Sequence, residues 1–270
     1  LSKVLAVVNQ KGGVGKTTTS VNLSTAFAAV NKNTLLIDLD PQGNASTGLG
    51  FSYKNRTKNI YNVLVNNESI SSSILNTEVP NLSLITSIVD LSAAEVELIH
   101  FEKREFILKN ALMEIKEKYE YIVIDCPPSL GLLTINALTA ADSIIIPLQC
   151  EFFALEGLSH LIKTVELIKK YLNPSLTIEG IVLTMYDKRN KLSEQVKIEI
   201  CNYLGDKVYE TIIPRNVRLS EAPSYGKPAI IYDLKCSGAQ AYVYLAKEIL
   251  EKQASDCKTE LASEGVQYEK

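Results

Sequence analysis

Three glycines, a lysine and a threonine (Gly12, Gly13, Gly15, Lys16 and Thr17) stand together between an apolar run at residues 4–8 and a stretch free of helix breakers. Glycines let a backbone aim several N–H groups at one point and let bulky anionic oxygens approach the main chain. A helix opening near Thr17 adds the positive end of its dipole. In such a loop Lys16 reaches the outer phosphates of a nucleotide, and the Thr17 hydroxyl sits on Mg2+. The usual pattern, G-x-x-x-x-G-K-[ST], has glycine where this chain has Gln10, and a second lysine, Lys11, heads the loop. Residues 11–18, with Val14 and Thr18 included, are therefore the candidate phosphate cradle. A glycine-rich surface turn is the plain alternative. Few turns need all of these residue types between a buried strand and a helix.

Three acidic residues end apolar runs. Leu35-Leu36-Ile37-Asp38-Leu39-Asp40-Pro41 places two carboxylates at the C-terminal end of a strand, the edge at which an open parallel sheet binds its ligand. Strand alternation turns Asp38 and Asp40 to the same side. Asp40, nearer the strand end, is the candidate for orienting an attacking water, with capping of the turn before Pro41 as the alternative. Asp38 is assigned to metal-shell water or to the loop. Tyr121-Ile122-Val123-Ile124-Asp125 is an apolar strand finishing in a carboxylate, the arrangement that holds Mg2+ directly or through water. Cys126 beside it reads as a small buried filler.

The elements that position these residues follow from hydrophobic period. Strands are expected at residues 4–8, 35–39, 82–85, 121–124, 143–148, 178–184 and 208–213, several of them apolar at successive positions. That is the pattern of strands covered on both faces. Leu158, Leu161, Ile162, Val165 and Ile168 follow helical spacing, as do Tyr242, Leu245, Ala246, Ile249 and Leu250. This alternation predicts an α/β fold, a doubly wound and mostly parallel sheet flanked by helices. A single domain over residues 1–253 is expected, with a polar, disordered tail over 254–270.

Composition narrows the classes. The chain has 270 residues, 46% apolar and 22% charged, with a net charge of −3. A constitutive nucleic-acid binder is more basic, so any DNA contact must come from a local patch. The five cysteines form no C-x-x-C pair, which argues against a zinc site or a disulfide framework. No apolar run is long enough to cross a bilayer.

The loop with its head lysine, together with Asp38-Leu39-Asp40-Pro41-Gln42-Gly43-Asn44, resembles the deviant Walker A ATPases. Three further segments narrow the resemblance to the ParA/Soj chromosome-partitioning family. They are Ile124-Asp125-Cys126-Pro127-Pro128-Ser129-Leu130-Gly131, Gln149-Cys150-Glu151-Phe152-Phe153-Ala154-Leu155-Glu156-Gly157 and Ile213-Pro214-Arg215-Asn216-Val217-Arg218-Leu219-Ser220-Glu221. The resemblance implies an ATP hydrolase with ATP and Mg2+ as ligands. Two ATP-bound subunits pair face to face, each lending Lys11 to the other's phosphates, and hydrolysis separates them. Pro214 and Asn216 are implied to contact the adenine. No Asn-Lys-x-Asp guanine motif is present, and the corresponding strand ends Thr184-Met185-Tyr186-Asp187. Further implications are a homodimer, non-specific binding of double-stranded DNA through Arg189 and Arg218, a ParB-like partner that stimulates hydrolysis, and a cytoplasmic, nucleoid-associated protein without membrane binding. Taken without the resemblance, those arginines read as solvated surface.

Two rival readings share the loop. A MinD-like membrane-associated ATPase that positions division needs a basic amphipathic C-terminal helix, whereas Ser255-Asp256-Cys257-Lys258-Thr259-Glu260 is polar and partly acidic. An iron–sulfur electron donor needs paired cysteines at a subunit interface, and Cys126 and Cys150 show no such pairing.

Overall fold

The computed structural model describes residues 2–265, the last ten of them by backbone alone. Seven strands form one sheet: β1 (Lys3–Val7), β2 (Thr34–Asp38), β3 (Leu75–Asn76), β4 (Leu82–Ile85), β5 (Tyr121–Asp125), β6 (Ser143–Gln149) and β7 (Thr177–Thr184). Their order is β3-β4-β2-β5-β1-β6-β7, parallel throughout except for the short antiparallel edge strand β3. Eleven α-helices are present among the described residues. The first five are α1 (Lys16–Ala29), α2 (Asn44–Gly48), α3 (Ile60–Leu64), α4 (Leu91–Glu97) and α5 (Ile107–Leu112). They are followed by α6 (Leu132–Ala140), α7 (Ala154–Tyr171), α8 (Lys191–Leu204), α9 (Val217–Glu221), α10 (Ala229–Tyr232) and α11 (Ser237–Gly265).

Strand alternation divides the core into two layers. Val4, Ala6 and Val8 of the first strand and its exit, with Leu35, Ile37, Ile122 and Ile124, pack against α3 to α8. Leu5, Val7, Leu36, Val123 and Ile145 pack on the other face against α1, α10 and α11. All five residues of β2 and of β5 are buried, which is why their sequences show no polar alternation. On the second face Phe27 of α1 stacks on Tyr121 with ring centroids 4.3 Å apart.

Two expectations from sequence are corrected. Residues 208–213 form no strand; Val208 makes an isolated bridge to Ile181, Tyr209 and Ile213 donate to the Ile181 and Leu183 carbonyls at 2.9 and 2.8 Å, and Pro214 just beyond bridges Tyr186. Between those two bonds the ladder is broken by a long-range competitor for the amides. Glu210 and Thr211 donate to the Glu248 carboxylate at 2.8 and 3.0 Å instead of to a ladder. The Tyr209 ring meanwhile lies against Gly180, where any Cβ would collide with it. The helix expected to fray at Ala254 continues to Gly265. Ala, Lys, Glu and Leu in that stretch carry enough helix propensity to extend a helix already nucleated by packing. Residues 266–270 of the expected tail lie outside the described residues.

Candidate functional site

The register brings the chemistry to one edge. β5 lies between β2 and β1, with Asp125 level with Asp38 on one side and with Val7 on the other. The loop after β1 thus opens beside two strand-end carboxylates. Gly13 and Gly15 take positive φ, 75° and 90°, and Gly15 precedes α1 without any side-chain cap. The first amides of a helix have no partner within it, so here they remain for a ligand. No atom stands within 4 Å of where a Cβ on Gly12 or Gly13 would be, so the cradle is open. The loop is held from below. Asn9 donates to the Pro147 carbonyl (2.7 Å) and accepts from the Lys11 amide (2.9 Å), and the Thr184 hydroxyl donates to the Val14 carbonyl (2.7 Å).

The two lysines of the loop differ. Lys16 is buried, its Nζ 3.0 Å from the Lys11 carbonyl. Burial holds its pKa below the ordinary lysine range, opposed by Asp125, Cys126 and Asp40 nearby. Lys11 is half-exposed and ion-paired with Glu151, which stands just before α7. Phe152 and Phe153 follow Glu151, both exposed and packed edge to face.

The three carboxylates are all buried and have separate partners. Asp38 Oδ2 accepts from the Ser46 amide (2.8 Å) and hydroxyl (2.6 Å), so Asp38 anchors the start of α2. Asp40 Oδ1 accepts from the Gln42 amide (2.9 Å), closing the turn at Pro41. Asp125 Oδ1 accepts from the Ser20 hydroxyl (2.8 Å), while its Oδ2 is buried without a hydrogen-bond partner. Burial first, and Asp38 next, push the Asp125 carboxyl up, against the pull of Thr17 and Ser20. A buried orphan carboxylate oxygen beside a threonine hydroxyl fits a divalent cation or its bound water, so the residues suit the implied Mg2+. Burial drives the Cys126 thiol well up, consistent with an inert filler.

Sequence reading missed Arg56. Its guanidinium is buried and donates to the Phe51 and Ser87 carbonyls and to the Thr47 hydroxyl, bracing the Asp40–α2 turn from beneath. A Cβ on Gly43 would overlap this guanidinium, and Gly43 itself has φ 62°. We expect Gly43→Ala to cost about 1–2 kcal/mol from the left-handed backbone alone, read as a lowered midpoint in thermal unfolding without nucleotide.

Pro214 and Asn216 lie farther from the loop. Pro214 pairs with Tyr186, two residues beyond Thr184, and lines a groove of about 630 Å³ with Arg215, Ser237 and Tyr244. Asn216 caps α9 by accepting from the Arg218 amide (2.9 Å) and donates to Ser237 (3.0 Å). A second N–H of its carboxamide is left over. Beside the loop itself, Thr17, Thr18, Asn22 and Leu219 line a smaller cavity of about 280 Å³. Arg189 pairs with Asp187, and Arg218 with Glu221 and Asp233, all at the surface. A larger cavity, about 970 Å³, lies at the opposite sheet edge among the ion-paired Lys3, Lys32, Glu120 and Glu179, and has no part in this constellation.

A glycine loop joining the first strand of a mostly parallel sheet to a buried helix, with carboxylates closing the neighbouring strands, defines a P-loop nucleotide-binding protein. Residues 2–178 match the family profile described as AAA domain. The chromosome partitioning protein ParA of Caulobacter vibrioides is 54% identical over 253 residues, covering 93% of this chain and 95% of that protein. The sporulation initiation inhibitor protein Soj of Bacillus subtilis is 55% identical over 249 residues, covering 92% and 98%. Among solved structures, cobyrinic acid a,c-diamide synthase from Mycobacterium smegmatis with bound ATP analog and magnesium superposes with a TM-score of 0.84 at 34% identity, covering 95% of this chain and 97% of that one. The chain belongs to the ParA/Soj family of ATPases. Among the described residues, no helix is long and apolar enough to cross a membrane.

Proposed function

We propose that this protein is an ATP-driven dimerisation switch in chromosome partitioning. ATP binds in the loop of residues 11–18, with Lys16 on the outer phosphates and the glycine amides around them. Thr17 and Asp125 would hold Mg2+, which when bound neutralises charge on the phosphates. Asp40 orients the water. Pro214 and the spare amide N–H of Asn216 contact the adenine. Lys11 acts on the nucleotide of a second copy, a cation supplied in trans.

The observation that carries this reading is the divergence of the two lysines: Lys16 is buried toward its own cradle, and Lys11 is half-exposed on Glu151 beside two exposed phenylalanines. A lysine needed only by its own loop has no reason to face outward. When two copies close, Lys11 exchanges an exposed carboxylate, worth about 0–1 kcal/mol, for a triphosphate.

DNA binding follows dimerisation. Arg189 and Arg218 are exposed and held by weak surface pairs that phosphate can displace. Pairing two copies doubles the contacts, so affinity follows nucleotide state. With four arginines on phosphate, binding should weaken roughly a hundredfold between 50 and 200 mM salt. A ParB-like partner stimulates hydrolysis and returns the protein to the monomer, placing the ATP form on the nucleoid.

Sedimentation and DNA retention, run with a non-hydrolysable ATP analogue and Mg2+, with ADP, and with no nucleotide, test the reading. The analogue alone should give a dimer that binds DNA, and Arg189→Glu with Arg218→Glu should abolish retention while the dimer persists. A monomer under saturating analogue would refute the switch.

A further inference from the structure

Burial singles out two carboxylates at the nucleotide edge. Asp38 ends β2 and Asp125 ends β5, level with each other on neighbouring strands, and both are fully buried. A buried carboxylate is costly unless donors or a cation meet its oxygens. Asp38 is met within the fold: its Oδ2 accepts from Ser46, and its Oδ1 from the Asp40 amide at 3.3 Å. Asp125 is met on one side only, by the Ser20 hydroxyl on Oδ1, and its Oδ2 is left over.

Ser20 lies on α1, three residues after Thr17 and four after Lys16, so helical spacing sets it on a face that those two share. It is wholly buried. Its Oγ stands 2.8 Å from Asp125 Oδ1 and 3.0 Å from the Lys16 carbonyl. A hydroxyl has one hydrogen to give. A serine inside a helix ordinarily returns it to the carbonyl four residues back. Here the carboxylate is the nearer acceptor, and an ionised carboxylate, the form that ligates a metal, accepts more strongly than a carbonyl. One buried atom thus ties the helix behind the phosphate loop to the end of β5.

We propose that Ser20 is the positioning residue of the metal site. Its hydroxyl occupies Oδ1, fixes the plane of the Asp125 carboxylate and leaves Oδ2 as the oxygen free for Mg2+ or its bound water. The inference rests on the assignment of Asp125 to Mg2+ made above. Because Ser20 is buried, it acts through Asp125 and not by contact with the nucleotide. Partners that orient a metal ligand in this way are worth about 10–100-fold in metal affinity. Ser24, one turn further along α1, supplies the contrast. Its hydroxyl is equally buried but has no hydrogen-bond partner, so no metal ligand depends on it.

The test measures the affinity of the full chain for a fluorescent, non-hydrolysable ATP analogue, once with excess Mg2+ and once in EDTA. The ratio of the two affinities is the metal's contribution. Ser20→Ala should keep the EDTA value within about twofold of wild type and lower the ratio about tenfold. Ser24→Ala should change neither. Asp125→Asn should lower the ratio at least as far, and adding Ser20→Ala to it should lower the ratio no further, because the serine works through that carboxylate. A wild-type ratio in Ser20→Ala overturns the proposal. So does an equal loss in EDTA and in Mg2+, an equal effect of Ser24→Ala, or losses that multiply in the double variant. If Asp125→Asn itself keeps the wild-type ratio, the metal assignment falls and this inference with it; if only Ser20→Ala keeps it, the assignment stands and the positioning role is wrong.

Discussion

Lys16→Ala should remove ATP binding while leaving the nucleotide-free fold intact. Lys16 is the one buried cation of the loop, and its lowered pKa shows that burial already disfavours its charge before any ligand arrives. The sign follows from linkage. A lysine that binds its proton less tightly when folded penalises the folded state below the folded pKa, and the penalty is relieved as pH rises toward the unfolded value near 10.5. At neutral pH the free protein carries that cost, so removing the ammonium should not lower stability by this route. With nucleotide the balance reverses. A desolvated ammonium on phosphate is a charge-assisted contact, and truncating one partner of a buried charge pair costs about 3–5 kcal/mol, two to three orders of magnitude in affinity or more. The measurement is thermal unfolding with and without ATP at about 100 times the wild-type Kd, where wild type gains about 2.7 kcal/mol. Lys16→Ala should unfold near the wild-type apo midpoint and gain nothing from ATP. An undiminished ATP-induced shift would place the phosphates elsewhere.

What could be read from sequence, and what could not, divides along contact range. The parallel strands were legible because burial on both faces leaves an unbroken apolar run, as in Tyr121–Asp125. Residues 208–213 carry the same local pattern, but the amides of Glu210 and Thr211 in their middle answer to Glu248, far along the chain on α11. β3 is two residues long and leaves no period to detect. The glycine loop and the strand-end aspartates are local spellings of a local geometry. Arg56 sits in Phe51-Ser52-Tyr53-Lys54-Asn55-Arg56-Thr57-Lys58, which reads as solvated; only the fold shows its guanidinium inserted under Gly43. Lys11 was legible as a head lysine, but not its pairing with Glu151 beyond the neighbouring strand β6, 140 residues away in sequence.

Asp40→Ala should retain ATP and the dimer yet turn over at most about one part in a hundred as fast, the scale of a lost general base or water-orienting group. The structure sharpens the choice between that role and turn capping, because one oxygen of Asp40 is already used. Oδ1 accepts from the Gln42 amide at 2.9 Å, and the Asp40 carbonyl accepts from Gly43 at 2.9 Å, so the turn rests partly on this residue. Oδ2 has no partner among the described residues and belongs to a side chain held at the sheet edge beside Lys16. Asn at this position keeps an Oδ1 acceptor for Gln42 and replaces the charged Oδ2 with an amide nitrogen. Were capping the whole function, Asp40→Asn would hydrolyse ATP nearly as fast as wild type while Asp40→Ala would not. A water-orienting carboxylate instead makes both variants equally slow in single-turnover hydrolysis, with analogue-driven dimerisation unchanged in each. The second pattern is expected, because the Ser46 bonds of Asp38 and the Arg56 brace already fix the turn from two other sides. That redundancy leaves the free oxygen of Asp40 with a task outside the fold.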